Sequence, residues 1–409
     1  MPSRHANPSV LKSPGVGEKM GDRHRLWKVI LELKKFQILI DILIQIQLTP
    51  FRKLHDGRYM NQRILNELTA QNMQSQHFTQ DPRVAGTAYG FYERLQNDQR
   101  MIEHGGDVFC TSSLLLLIPK QNLGFFVSYT RMDSALRENL VNEFLDRYFP
   151  VGKSLQTLHL TGESHWPPNH YNGYYLYNRY SRTTLEKLVA LFSQCHLTGH
   201  GSGFLEVSYP FGGKKSMELA EAGPLLFKRL DNGNLVAFKE DHQGGITQFF
   251  DGTRVFDRLP WYQSLPFQLS LVGFFVLVFF SVWMVWFVEI LVGRFKRHSF
   301  PGTFSMRSFR GLLLLVSGLD LFFLFGMAIS YWRFDEFDWV FGAPREVILL
   351  LCIPILGSAV SIALPVFVII EWRKGLGTPF GRLYHWLISI TALGFIEFLN
   401  YWNLLGFRY

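Results

Sequence analysis

A chain of 409 residues with 48% hydrophobic and 16% aromatic content has room for two or three domains, and its apolar residues are unevenly spread. Four long apolar segments after Leu265 exclude a wholly soluble protein, and three cysteines, Cys110, Cys195 and Cys352, exclude a disulfide framework, leaving Cys110 with Cys195 as the one conceivable pair. The formal charge of +8 at pH 7 does not point to nucleic acid, because the basic clusters flank the apolar spans, where they suit lipid head groups.

Met1 to Lys35 is basic and has no uninterrupted apolar run, so no conventional signal peptide is visible. From Phe36 to Leu48 the apolar residues Phe36, Ile38, Ile40, Ile42, Ile44, Ile46 and Leu48 alternate with a second set that includes Gln37, Asp41, Gln45 and Gln47. That period of two predicts a half-buried strand, and Asp41 argues against a membrane span.

The most informative stretch is Met101 to Tyr129. His104-Gly105-Gly106 lacks side chains at two consecutive positions, so a ligand or another chain segment can approach the backbone there; a glycine bend at a sheet corner is the plainer reading. Leu114 to Ile118 and Leu123 to Tyr129, separated by Pro119-Lys120-Gln121-Asn122, predict a β-hairpin. Asp133 or Ser134 can cap a following helix whose Leu136, Leu140, Val141, Phe144, Leu145 and Tyr148 form one apolar face.

In order, AYGFYE (Ala88 to Glu93), HGGD (His104 to Asp107), SSLLLLIP (Ser112 to Pro119) and NLGFFVSY (Asn122 to Tyr129) resemble the last strands of the serine hydrolases with the β-lactamase and penicillin-binding fold, in particular the class C-like esterases and peptidases. LHDGRYMNQRILNELTAQNM from Leu54 resembles the loop and helix before those strands, and the likeness fades upstream. The resemblance implies a partial α/β β-lactamase-like domain over residues 53–150, after a divergent region 1–52 that an altered or misassigned gene start would also explain. It further implies that His104 lines the wall of a substrate site, that Gly105 and Gly106 let substrate lie against the strand, and that the Asp107 backbone N–H is an oxyanion donor.

That family also uses a Ser-x-x-Lys pair and a Tyr-x-Asn group. Ser9 and Lys12 match the first pattern, but Pro8 and Pro14 bracket them and Pro14 would fall early in the helix that must hold the pair. Tyr59 and Asn61 match the second in the wrong context. Short patterns of this kind arise by chance. Ser112 and Ser113 have no lysine or histidine base nearby in sequence. No convincing catalytic residue is identified, and an acyl-enzyme is not expected.

Residues 151–168 read as a linker ending in His165-Trp166-Pro167-Pro168-Asn169. A β-rich middle domain is expected over 169–262. Thr183-Thr184-Leu185-Glu186 has capping-box spacing and opens a short helix with Leu185, Leu188, Val189 and Phe192 on one face. Strand-like runs at Phe204 to Tyr209, Leu225 to Leu230, Leu235 to Lys239 and Ile246 to Phe250 predict a small antiparallel sheet or partial barrel. Cys195, His196 and His200 have no closing pair at metal-ligand spacing, so neither a metal nor another cofactor is expected.

A four-helix transmembrane bundle is expected over 263–409, with spans at Leu265 to Val292, Gly311 to Trp332, Val347 to Trp372 and Leu383 to Leu405. Arg294, Lys296, Arg297, Arg307 and Arg310 fall between the first two, and Arg373, Lys374 and Arg382 between the last two, while Asp335, Glu336, Asp338 and Glu346 occupy the middle loop. The positive-inside rule places the basic loops in the cytoplasm and the soluble regions outside an inner or plasma membrane. Helix rise of about 1.5 Å per residue sets Asp320 at nearly the depth of Ser281, Ser361, Ser389 and Thr391, a candidate polar cluster that serves either an ion path or structural hydrogen bonding.

Three functions compete: an active serine hydrolase on envelope peptides, amides or esters; a non-catalytic, membrane-anchored remnant that binds such ligands; and a four-span transporter with an external domain. The lack of a paired repeat and of broken, charge-bearing spans in the sequence weighs against transport. The expected partners are membrane lipids and envelope peptides or esters, not nucleic acid.

Overall fold

The computed structural model describes residues 58–59, 62–63, 65–108, 111–129, 134–150, 167–200, 203–210, 216–296, 304–334, 338 and 342–408. The strand expected at Phe36 to Leu48, the Ser9 and Lys12 pair, Cys110 and the linker before Pro167 lie outside them. Two compact units result. One gathers the described residues up to His77 with Ala88–Tyr92 and Gln99–Glu143; the other gathers Phe78–Thr87, Glu93–Asp98 and the described residues from Phe144 onward.

In the first unit, a two-residue hairpin of β1 (Arg58–Tyr59) and β2 (Gln62–Arg63) precedes helix α1 (Glu67–Gln74). The Asn66 side chain starts that helix by accepting from the Thr69 N–H at 2.7 Å, satisfying a donor that has no partner within the helix. Arg100 closes its other end by donating to the Gln74 carbonyl at 2.7 Å. Strands β3 (Thr87–Ala88), β4 (Phe91–Gln96), β5 (Gln99–Val108), β6 (Thr111–Ile118) and β7 (Leu123–Tyr129) form a five-stranded sheet in that order. The expected β6–β7 hairpin is present, with Leu114 opposite Val127 and Leu116 opposite Phe125. Its turn closes through Asn122 at φ 48°, a left-handed conformation that asparagine tolerates.

Register decides what the strands present. Gly105, Leu114 and Val127 fall on one face, and His104, Leu115 and Phe126 on the other. Leu114 and Leu116 are buried on the first face, whereas Phe126 and His104 are exposed on the second. Helix α2 (Ser134–Tyr148) buries Val141, Phe144 and Leu145 as expected, but Leu140 and Tyr148 are exposed. Leu140 sits about 100° around the helix from Val141, outside the narrower stripe that is covered.

In the second unit, the middle region closes into an eight-stranded barrel rather than a partial one. The strands are β8 (Gly173–Tyr177), β9 (Gln194–His200), β10 (Phe204–Ser208), β11 (Met217–Gly223), β12 (Leu226–Arg229), β13 (Leu235–Glu240), β14 (Ile246–Asp251) and β15 (Arg254–Arg258). Each pairs antiparallel with the next, and β15 pairs back with β8, which leaves no open edge. Tyr171, Tyr175, Phe227, Phe238, Phe249 and Phe256 fill the interior, with Phe249 and Phe256 stacked at 4.3 Å. Val84 lies against Ala237, Phe250 and Val255 in a separate small cluster, and Arg83 donates to the Pro224 carbonyl beside it.

The predicted helix after Thr184 is a 3-10 turn, Leu185–Leu188, continued by α3 (Val189–Phe192). Three residues per turn rotate the face, so Leu185, Ala190 and Leu191 are buried while Val189 and Phe192 are exposed.

Among the described residues, four helical segments are long and apolar enough to cross a membrane. They contain α4 (Leu265–Lys296), α5 (Phe304–Arg333), a third stretch in three pieces, α6 (Arg345–Leu350), α7 (Cys352–Ser361) and α8 (Leu364–Arg373), and α9 (Pro379–Tyr401). The breaks in the third stretch differ from the continuous span expected. Their cause is local: Pro354 and Pro365 lack the N–H groups that would bond the carbonyls of Leu350 and Ser361, where α6 and α7 end.

Barrel and bundle are joined through side-chain amides. Gln194 accepts from the Leu265 N–H at 2.8 Å and donates to the Gln263 carbonyl at 3.0 Å. Asn403 donates to the carbonyls of Arg182 and Thr184, both at 3.0 Å. Lys187 donates to the Tyr401 carbonyl and lies over the Tyr401 ring. Burial, and then the charge of Arg408, push the Lys187 ammonium below its ordinary pKa.

Candidate functional site

The expected site-wall residues occupy the end of β5, and each has a defined neighbour. His104, exposed, lies 5.9 Å from the Tyr92 ring in a stacked arrangement. On the other face a Cβ at Gly105 would meet the Arg137 guanidinium at 3.3 Å, so the space left by this glycine is taken by a side chain of α2. Gly106 is the opener position, since a Cβ there would meet only Ser113 Oγ, at 3.6 Å.

Asp107 is held from two sides. Ser112 Oγ donates to Asp107 Oδ1 at 2.5 Å, and Arg137 Nη1 donates to the same oxygen at 2.8 Å. Arg137 also reaches the carbonyls of Gly106 and Ser113, each at 3.4 Å. Burial pulls the Asp107 pKa upward, but the hydrogen bonds from Ser112 and Arg137 and the charge of Arg137 outweigh it, leaving the carboxyl below its ordinary value. A general base works best with a pKa near the operating pH, so this carboxylate is a poor one for Ser112. Chemically the arrangement offers a half-buried strand with no side chain at Gly106 and an aromatic-imidazole surface on one face, and an ion pair on the other. Sequence reasoning missed Arg137, whose role depends on α2 folding back over β5.

Tyr59 lies in the small β1–β2 hairpin. Cys195 is buried in the barrel interior, and Cys110, with which it could conceivably pair, lies outside the described residues. His196 and His200 sit on the alternate, outward positions of β9: His196 is 4.5 Å from the Tyr174 ring, and His200 pairs with Glu206 at 3.2 Å. Burial lowers the His196 pKa. The three residues are therefore not gathered on one face.

In the bundle, Asp320 is 3% exposed, and its Oδ2 has no hydrogen-bond partner among the described residues. Its Oδ1 lies 2.8 Å from where a Cβ on Gly357 would stand. Ser361 donates to the Gly357 carbonyl at 2.7 Å, next to that contact. Ser281 is engaged elsewhere, with the Val278 carbonyl at 2.6 Å and the Tyr384 hydroxyl at 2.7 Å. Ser389 and Thr391 are buried, Ser389 Oγ without a partner among the described residues. Asp320 is thus brought to Gly357 and the α7 backbone, while Ser281 joins Tyr384.

A second polar group lies elsewhere in the bundle, and its Glu371 and His385 were missed in the sequence. Glu371 of α8 pairs with His385 Nδ1 at 2.8 Å, and Glu289 of α4 pairs with Arg310 at 2.9 Å. A systematic search of the spans for ionisable residues would have found Glu371 and His385, though not their pairing.

No family model matches the chain, and no curated protein matches it. Solved structures with some likeness include SurE, at 17% identity and a TM-score of 0.32 over 52% of this chain and 47% of that one. SurE with D-Leu has 17% identity and a TM-score of 0.27 over 48% and 44%. The octameric penicillin-binding protein homologue from Pyrococcus abyssi has 12% identity and a TM-score of 0.19 over 48% and 43%. The chain spans less than half the length of these structures, and likeness at such scores carries no argument about fold or activity.

Proposed function

We propose that this chain is a membrane-anchored relative of the β-lactamase-like serine hydrolases that binds an extended ligand, an envelope peptide, amide or ester, against β5 without itself forming an acyl-enzyme. The observation that carries it is the Asp107 arrangement: the Ser112 hydroxyl is donated to a carboxylate held low by Arg137, so the serine beside the motif has no competent base. The face of His104 and Gly106 supports ligand contact because Gly106 admits close approach and His104 stands exposed beside Tyr92. Anchoring follows from the four apolar segments, and the basic residues at the α4–α5 and α8–α9 connections support placing the soluble regions outside.

The test is labelling of the purified full chain with fluorophosphonate and β-lactam probes, alongside equilibrium binding of the same β-lactam. Reversible binding without acylation is expected. Stoichiometric acylation at any serine refutes the non-catalytic reading, and labelling at Ser9 that is lost in Lys12→Ala would assign the nucleophile. Cysteine labelling near Lys296 from outside intact cells refutes the orientation.

Four-span transport is the second reading, and the proline kinks at Pro354 and Pro365 favour it, because they flank Gly357, which faces the buried Asp320 carboxylate, and interrupted spans beside an ionisable group are found along transport pathways. Ion flux in vesicles that disappears in Asp320→Asn, with the bundle still folded, would select it.

A further inference from the structure

The bundle contains a cavity of about 190 Å³ between α4, α5, α8 and α9. An apolar cavity of about 150 Å³ holds one benzene, so this one takes a small head group with the first carbons of a chain. It lies toward one end of the bundle, where α4 and α8 finish and α5 and α9 begin, and its lining combines rings with carboxylates. Phe309 and Phe367 stack at 5.6 Å, and Trp286 and Tyr384 contribute two more rings. Glu289 and Glu371 bring two carboxylates, against one permanent cation, Arg310. Glu371 is almost fully buried, with His385 as its partner. The lining therefore sets two carboxylates against one guanidinium, and Arg294, Arg373 and Arg382 stand outside it.

Electron-rich ring faces together with excess carboxylate are the chemistry that holds an ammonium group, and a buried carboxylate opposes an anionic one. Val285, Trp286 and Ile370 line the cavity and are also exposed on the side of the bundle, so a chain attached to the head group can leave toward hydrocarbon. We propose that this cavity binds the ammonium head of an alkyl amphiphile, with the chain leaving laterally past Val285 and Ile370. The ligand class is a primary alkylammonium, supplied either by an aminolipid of the bilayer or by a free long-chain amine.

The test uses the full chain purified in neutral detergent, with dodecylammonium, dodecanol and dodecanoate as probes and the thermal unfolding midpoint as readout. Dodecylammonium is expected to raise the midpoint saturably, with dodecanol and dodecanoate well behind. Trp286→Leu, at the exposed rim, is expected to weaken dodecylammonium about fivefold while the protein stays folded, and Glu371→Gln to weaken it more. If Glu371→Gln does not fold, the comparison of the three probes on the unaltered chain still decides. Equal stabilisation by dodecanol, or tighter binding of dodecanoate, overturns the proposal. In nanodiscs, loss of dodecylammonium binding in phosphatidylethanolamine but not in phosphatidylcholine assigns the bilayer lipid as source; retained binding in both assigns the free amine.

Discussion

Arg137 donates to the Asp107 carboxylate across 2.8 Å while its guanidinium covers the space beside Gly105. One helix side chain therefore both neutralises the motif's acid and closes one face of its glycine. The opposite face of β5, with His104 and Gly106, stays open.

The ion pair predicts an acid-sensitive contribution to stability. Because the folded Asp107 pKa is depressed, the contribution is present above the unfolded value of about 3.9 and is lost as pH falls through the lower folded value. At a partly solvated site it is worth about 0.5–1 kcal/mol. Thermal midpoints of the unaltered chain and Asp107→Asn should differ at pH 7 and converge as the pH falls below the range in which carboxylates ionise; a difference that persists at the acid end would contradict the pairing.

The two glycines should respond differently to alanine. At Gly105 the added methyl meets the Arg137 guanidinium at 3.3 Å and must displace it, costing up to about 1 kcal/mol. At Gly106 the nearest atom is Ser113 Oγ at 3.6 Å, so Gly106→Ala is expected to be neutral or stabilising by about 0.5 kcal/mol. If the open face binds ligand, Gly106→Ala nevertheless weakens β-lactam binding, and parallel unfolding and binding measurements separate the two effects.

Gly357→Ala should destabilise the bundle by about 1–3 kcal/mol, because its methyl would stand 2.8 Å from Asp320 Oδ1 inside a buried helix contact. Asp320→Ala in the same molecule should recover most of that loss. Detergent unfolding of the two single variants and the double variant gives the coupling, and strict additivity would place the strain elsewhere.

Asn403 bridges the C-terminal peptide to the barrel connection at φ 56°. Aspartate tolerates that conformation but cannot donate, so Asn403→Asp removes the two hydrogen bonds to Arg182 and Thr184 while keeping the acceptor that Arg408 donates to at 3.0 Å. A loss of about 1–3 kcal/mol is expected, together with faster protease cleavage between Arg182 and Lys187. Unchanged cleavage would mean that Gln194 holds the junction without it.

The bundle segments and the β6–β7 hairpin were legible in the order of residues. Hydropathy over twenty or so residues and a Pro-Lys-Gln-Asn turn act locally, so no distant partner is needed to recognise them. Half of the barrel strands were not. β8 reads Gly-Tyr-Tyr-Leu-Tyr and β11 carries Glu218 and Glu221 with two alanines, so neither alternates cleanly. The breaks at Pro354 and Pro365 were present in the sequence, yet high hydropathy hid them.

By itself the sequence determined that a hairpin follows the His104-Gly105-Gly106-Asp107 motif and that Asp320 lies in a membrane-length apolar segment, because both follow from local pattern and composition, while the strand at the motif was implied by the family resemblance. The tertiary structure alone decided that Arg137 occupies the space beside Gly105, that β15 returns to β8, and that Glu371 meets His385 across two helices. Those relations join residues 32, some 80 and 14 positions apart, and only packing, which local pattern does not encode, sets the distance between such groups.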